Sequence, residues 1–214
     1  MSARRRGASL LEVLCAGTLS LLLLSTVVAI LIPAFRSSGK LAAKVAMEQQ
    51  ISVVLLKITR ELQRTRPNTL AYWQGSQGAS FCLHTIEGFS LGDPPLPVYS
   101  RQLIFYLFSR QRGTLVRAPW PSDPANPVLF DSLLKPPDGS APLQPDPSSL
   151  RAALNRPLRG QQLASSVRLF EVRSPGAKLS NPLTLTLELA QPLPGQALPV
   201  VCRLSQVVSI RSLE

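Results

Sequence analysis

The chain has 214 residues, a formal net charge of +11 and 45% hydrophobic residues, with one histidine and three cysteines. One histidine leaves a Ser-His or Cys-His catalytic pair no choice but His84, and neither a phosphate-cradling Gly loop nor a C-x-x-C metal spacing occurs. Positive charge on this scale suits a nucleic acid, an anionic lipid surface or an acidic protein, and equally plain solubility.

The N-terminus opens with Arg4-Arg5-Arg6-Gly7, followed by Ala8-Ser9-Leu10-Leu11-Glu12-Val13 and an apolar run to Phe35. From Leu10 to Phe35 the only charged residue is Glu12. That run of about 26 residues would be on the order of 39 Å long as helix, enough to cross a bilayer core. Pro33 is expected to stop or kink it. A secretory signal has a shorter apolar region and a small-residue cleavage site, which this run does not offer. Basic residues flank both ends, so the positive-inside rule does not orient it. Glu12 is either a headgroup-level acid favoured by the helix dipole or a charge that meets a cation on another subunit. Cys15 reads as a small apolar filler.

Ser37-Ser38-Gly39 is expected to loosen the helix. Beyond it, Leu41, Val45, Ile51, Leu55, Ile58 and Leu62 recur at steps of three and four, predicting an amphipathic continuation that ends before Pro67. Strands are predicted over Phe81–Ile86, Gln102–Phe108 and Thr114–Arg117, the last two joined by the turn Ser109–Gly113. Nine of the twenty prolines lie between Pro119 and Pro147, a loop or extended insert. Ser148–Leu154 would hold one or two helical turns. Val167–Arg173 and the alternating Leu183, Leu185, Leu187, Leu189 read as strands. Val200, Cys202, Leu204, Val208 and Ile210 share a face of the last one. The predicted fold is α+β, a long N-terminal membrane-spanning helix packed on antiparallel β-sheet. Its parts are 1–7 as basic leader, 8–35 as membrane helix, 36–66 as helical continuation and 67–214 as β-rich domain with an insert at 119–147.

Gly7-Ala8-Ser9-Leu10-Leu11-Glu12-Val13 resembles the class III signal of type IV pilins and type II secretion pseudopilins. The resemblance implies cleavage by a prepilin peptidase between Gly7 and Ala8, N-methylation of Ala8, and Glu12 as the assembly carboxylate, pairing with the Ala8 amine of a neighbouring subunit. The family usually carries Phe where Ala8 stands. Ile51–Thr65, the hairpin Leu103–Leu107 with Gly113–Arg117, and the late strand pair ending Val208-Ser209-Ile210-Arg211 resemble J-type minor pseudopilins and related minor pilins. The proline-rich insert has no counterpart there.

The reading that follows is a non-enzymatic, cofactor-free and metal-free minor pilin or pseudopilin, initiating assembly from a filament tip. It would sit in the bacterial inner membrane with its C-terminal domain outside the cytoplasm. Its partners would be other pilins or pseudopilins, the prepilin peptidase, the inner-membrane assembly platform and the bilayer. In such a compartment a Cys82–Cys202 disulfide is expected. The alternatives are a competence pilin binding DNA and a single-pass anchored binding protein that never polymerises. His84 reads as an ordinary strand histidine, and Asp93, Asp123, Asp138 and Asp146, each beside Pro or Gly, as turn acids.

Overall fold

The computed structural model describes residues 9–93, 95, 97–120, 150–151, 154, 160–176, 179, 181–194 and 197–210. Gly7, Ala8 and nearly all of the proline-rich insert lie outside them. The chain divides into two compact units, Met1–Ala43 and Lys44–Glu214. The boundary therefore falls inside the helix, some residues beyond the apolar run.

Helix α1 spans Leu10–Leu62, 53 residues. It opens on Ser9, whose side-chain oxygen accepts the Glu12 amide at 3.3 Å, the S-x-x-E arrangement of a helix start. It runs on through Pro33, which does not stop it, and through Ser37-Ser38-Gly39. Its C-terminal part, within the second unit, buries Met47, Ile51, Val54, Leu55, Ile58, Thr59 and Leu62. Those positions recur at three and four residues and form one stripe. Leu41 and Val45, assigned to the same stripe from sequence, are 64% and 42% exposed. Within the second unit the buried stripe begins at Met47.

A 3₁₀ turn, Pro67–Thr69, leads into the strands. Those of the first sheet are β1 (Ala71–Gly75), β2 (Gly78–Phe89), β3 (Pro97–Ser109), β4 (Thr114–Trp120) and β5 (Gln161–Ala164). They pair in sequence order, each antiparallel to the next. Strands β6 (Val167–Arg173), β7 (Leu183–Gln191) and β8 (Val200–Val208) form a second antiparallel sheet with β7 central. Two turns need glycine. A Cβ on Gly78 would lie 1.9 Å from the Phe108 carbonyl oxygen, and Gly113 has φ +59°. The Gly113 carbonyl accepts the Val167 amide at 2.8 Å, tying the first sheet's turn to β6. At the far end of the second sheet the Asn181 side chain accepts the Ile210 amide at 2.6 Å and donates back to the Ile210 carbonyl.

The main core lies between the stripe of α1, one face of the first sheet and one face of the second. Ile51, Ile58 and Leu62 of α1 share one buried cluster with Phe81, Leu83, Tyr106 and Phe108 of the first sheet and Phe170, Leu185 and Leu187 of the second. The first sheet has a second buried face, where Ala71, Cys82, Leu103, Phe105 and Leu107 pack with Leu150, Trp73 and Trp120. With both faces covered, β2 and β3 read as continuous apolar runs rather than alternating ones.

Candidate functional site

Along Leu10–Phe35 the side chains of α1 are exposed on every side: Leu21 through Leu24 are 61–67% exposed and Phe35 72%. This is the one helix among the described residues long and apolar enough to cross a membrane, and the apolar window that qualifies it is not buried at all. An apolar surface of this extent on a folded chain calls for a lipid or protein environment around it. Several of the hydroxyls in it or just beyond it are turned inward onto the helix. The hydroxyls of Thr18, Ser25, Thr26 and Ser37 donate to carbonyls three or four residues earlier at 2.8–3.0 Å. Glu12 stands in the first turn, exposed, with no ion pair among the described residues. Of the expected processing and assembly residues Gly7, Ala8 and Glu12, only Glu12 is therefore described.

Where α1 meets the first sheet there is a polar cluster that sequence reasoning missed. Glu61, in the last turns of α1, accepts Arg117 Nε at 2.7 Å through Oε1 and the Tyr106 hydroxyl at 2.5 Å through Oε2. Tyr106 is fully buried, and Glu61 and Arg117 keep 16% and 23% of their side chains exposed. Burial, and then the Glu61 carboxylate, raise the Tyr106 phenol far above its ordinary range. It remains a donor at any physiological pH. The cluster fixes which face of α1 lies on β3 and β4, because one carboxylate must reach both partners. In sequence Glu61 lies off the apolar stripe and Arg117 closes a predicted strand, and partners 45 and 56 residues away leave no local signal. On the solvent side of the same helix segment, Lys57 Nζ donates to Gln161 Oε1 on β5 at 2.6 Å.

His84, on β2, is 1% exposed and stacks on Tyr99 with ring centroids 5.5 Å apart. Its Nε2 lies 2.5 Å from the Ser100 carbonyl oxygen, which can only accept, so Nε2 carries the proton. Nδ1 is buried without a partner. Burial holds the imidazole below its usual pKa, opposed by the Ser100 bond and by Glu87. A second proton would sit on an atom with no acceptor, which fits a neutral structural histidine rather than a base poised for chemistry.

Cys82 and Cys202 are buried free thiols, so the expected bridge between them is not formed. Cys82 faces the second core with Phe105 and Leu107, whereas Cys202 lies in the main core under α1. The first sheet stands between the two clusters, because alternate residues of one strand point to opposite faces. Burial pushes both thiols up, away from the reactive thiolate form.

Among the described residues no group of three His, Cys, Asp or Glu side chains could hold a metal ion. A polar cleft lies between the β1–β2 and β3–β4 turns, lined by Ser76, Gln77, Ser109, Arg110, Gln111, Arg112 and Leu154. No family model, curated protein or solved structure matches the chain.

Proposed function

We propose that the protein is a non-enzymatic assembly subunit of the type IV pilin and type II secretion pseudopilin class, of the minor, J-type kind. It would start as a single-pass inner-membrane protein with the β-rich unit outside the cytoplasm. Prepilin peptidase would remove residues 1–7, and α1 would then pass from lipid into a bundle of neighbouring subunits' helices. The observation that carries the reading is the contrast within α1. Leu10–Phe35 is apolar all round and uncovered, with Glu12 as its only charge, while the C-terminal part of the helix buries a stripe against the sheets. A carboxylate in lipid is costly, and the Ala8 amine of an adjacent subunit would offset that cost by a charge-assisted hydrogen bond.

The test is made on Glu12. In Glu12→Ala and Glu12→Gln, intact mass should show chains beginning at Ala8 and the β-rich unit should fold. Crosslinking to partner subunits should nevertheless fall well below wild type. Crosslinking at the wild-type level would reduce Glu12 to a headgroup acid and remove the filament reading. A wild-type chain that keeps residues 1–7 in its native host would remove the resemblance itself.

A further inference from the structure

Among the described residues strand β8 is an open edge. In the second sheet it pairs only with β7, through nine consecutive register positions with no shift between them. The other edge strands among the described residues are blunted. β1 has five residues and β5 four. β6 has a register irregularity after Val167, whose amide is already held by Gly113. β8 has no proline, no bulge and a single charge, Arg203. Folded proteins usually protect an edge of that length, because its free amides and carbonyls are a template for another strand. On its exposed face Val201 and Val207 are 42% and 65% exposed.

The sequence of the strand says what fits there. In Val200-Val201-Cys202-Arg203-Leu204-Ser205-Gln206-Val207-Val208 the exposed positions read Val, Arg, Ser, Val, apolar at both ends and polar between, symmetric about Leu204, although Cys202 and Gln206 on the other face are not alike. Laid antiparallel against itself about Leu204, all nine residues pair. Each exposed Val201 then stands opposite the partner's Val207, an apolar cross-strand pair of the stabilising kind. Arg203 stands opposite the partner's Ser205, so no like charges are directly opposed. Moving the centre to Arg203 would oppose two arginines, and moving it to Ser205 would leave Val201 without a pair. We infer that β8 is a self-association edge, through which two copies of this chain join their three-stranded sheets into one six-stranded sheet. This does not depend on the filament reading, since β8 and the apolar part of α1 are separate surfaces.

The test uses the full-length chain in detergent micelles, in a Cys15→Ser background that removes the exposed native thiol. Two differently tagged populations, Val201→Cys and Val207→Cys, are mixed and mildly oxidised. In the two-fold pair these thiols oppose one another, within disulfide reach. Two copies of Val201→Cys would keep theirs about 20 Å apart, six residues along a strand. The crossed heterodimer should therefore exceed either single-population homodimer several-fold. Equal yields, or none, would overturn the inference. A second comparison uses the sign of charge. Ser205→Glu places a carboxylate opposite the partner's Arg203 and should raise the crossed yield, while Ser205→Lys should lower it. Both lose the same Ser205–Thr186 hydroxyl contact, so an identical response to the two would also overturn it.

Discussion

Leu21 to Leu24 and Leu55 are the same residue type in the same helix, yet the four are 61–67% exposed and Leu55 is 3% exposed. The sequence around each accounts for the difference. Leu55 belongs to the stripe that the two sheets cover, while the opposite face mixes Ser52, Lys57 and Arg60 with Val53 and Leu56, which stay 67% and 47% exposed. Leu21 to Leu24 have no polar face behind them, and one sheet could not have covered the whole circumference. Hydrophobicity by itself does not set burial in this chain. The angular spread of apolar residues around the helix decides whether the partner surface is the protein's own or one outside it.

The sharpest way to break this comparison is to truncate one residue from each stretch. Ile58→Ala, at a fully buried position, should cost about 2–5 kcal/mol of folding stability. Leu22→Ala should leave the denaturation midpoint of the β-rich unit unchanged. The measurement is denaturant unfolding of the full chain in micelles, followed by Trp73 and Trp120 fluorescence. A shift of similar size for both would mean that the two stretches are not energetically distinct.

A smaller effect is expected at the cluster that orients the buried stretch. Glu61→Gln removes the charge that holds Arg117 and Tyr106, and should cost about 1–3 kcal/mol, reduced because the pair keeps partial access to solvent. Adding Arg117→Met should recover part of that loss, since an unpaired charge is then no longer held at the helix–sheet junction. Strict additivity of the two substitutions would show that the contact is only incidental.

The smallest effect is one of pH, on the side of the first sheet that α1 does not cover. His84 is held neutral, below its unfolded pKa of 6.5. Its contribution is therefore present above pH 6.5 and is lost as pH falls toward the folded value, where the unfolded state binds the extra proton. Between pH 6.5 and about 5, above the ordinary carboxylate range, stability should decline in wild type and less steeply in His84→Gln. Matching slopes would mean that His84 does not bind protons differently in the folded and unfolded states.

Much of this architecture is written in local pattern. The Ile51, Leu55, Ile58, Leu62 stripe and the strand of alternating Leu183, Leu185, Leu187 and Leu189 are found where three-four and two-residue periodicity put them. β1 and β5 escaped because strands of five and four residues, one beside Gly and one bordered by turns, carry too few alternations to register. The division into two sheets is a matter of long-range pairing, which no single strand announces. A compartment that permits a Cys82–Cys202 bridge says nothing of whether the two thiols meet, and here they lie in different cores because the first sheet has two buried faces. At the candidate site Glu12 was conspicuous as the lone charge in an apolar run. Glu61 was not, because its neighbours in sequence are as polar as it is.

The inward-turned hydroxyls of Thr18, Ser25, Thr26 and Ser37 have a consequence for how the N-terminal part of α1 can travel. A polar group that depends on a particular neighbour binds a helix to the place where that neighbour is. Here each of those hydroxyls takes its acceptor from the helix itself, so the cylinder carries its satisfied polar contacts wherever it goes. Hydrocarbon chains and the flank of another apolar helix are then nearly interchangeable surroundings, and moving between them breaks no hydrogen bond at these positions.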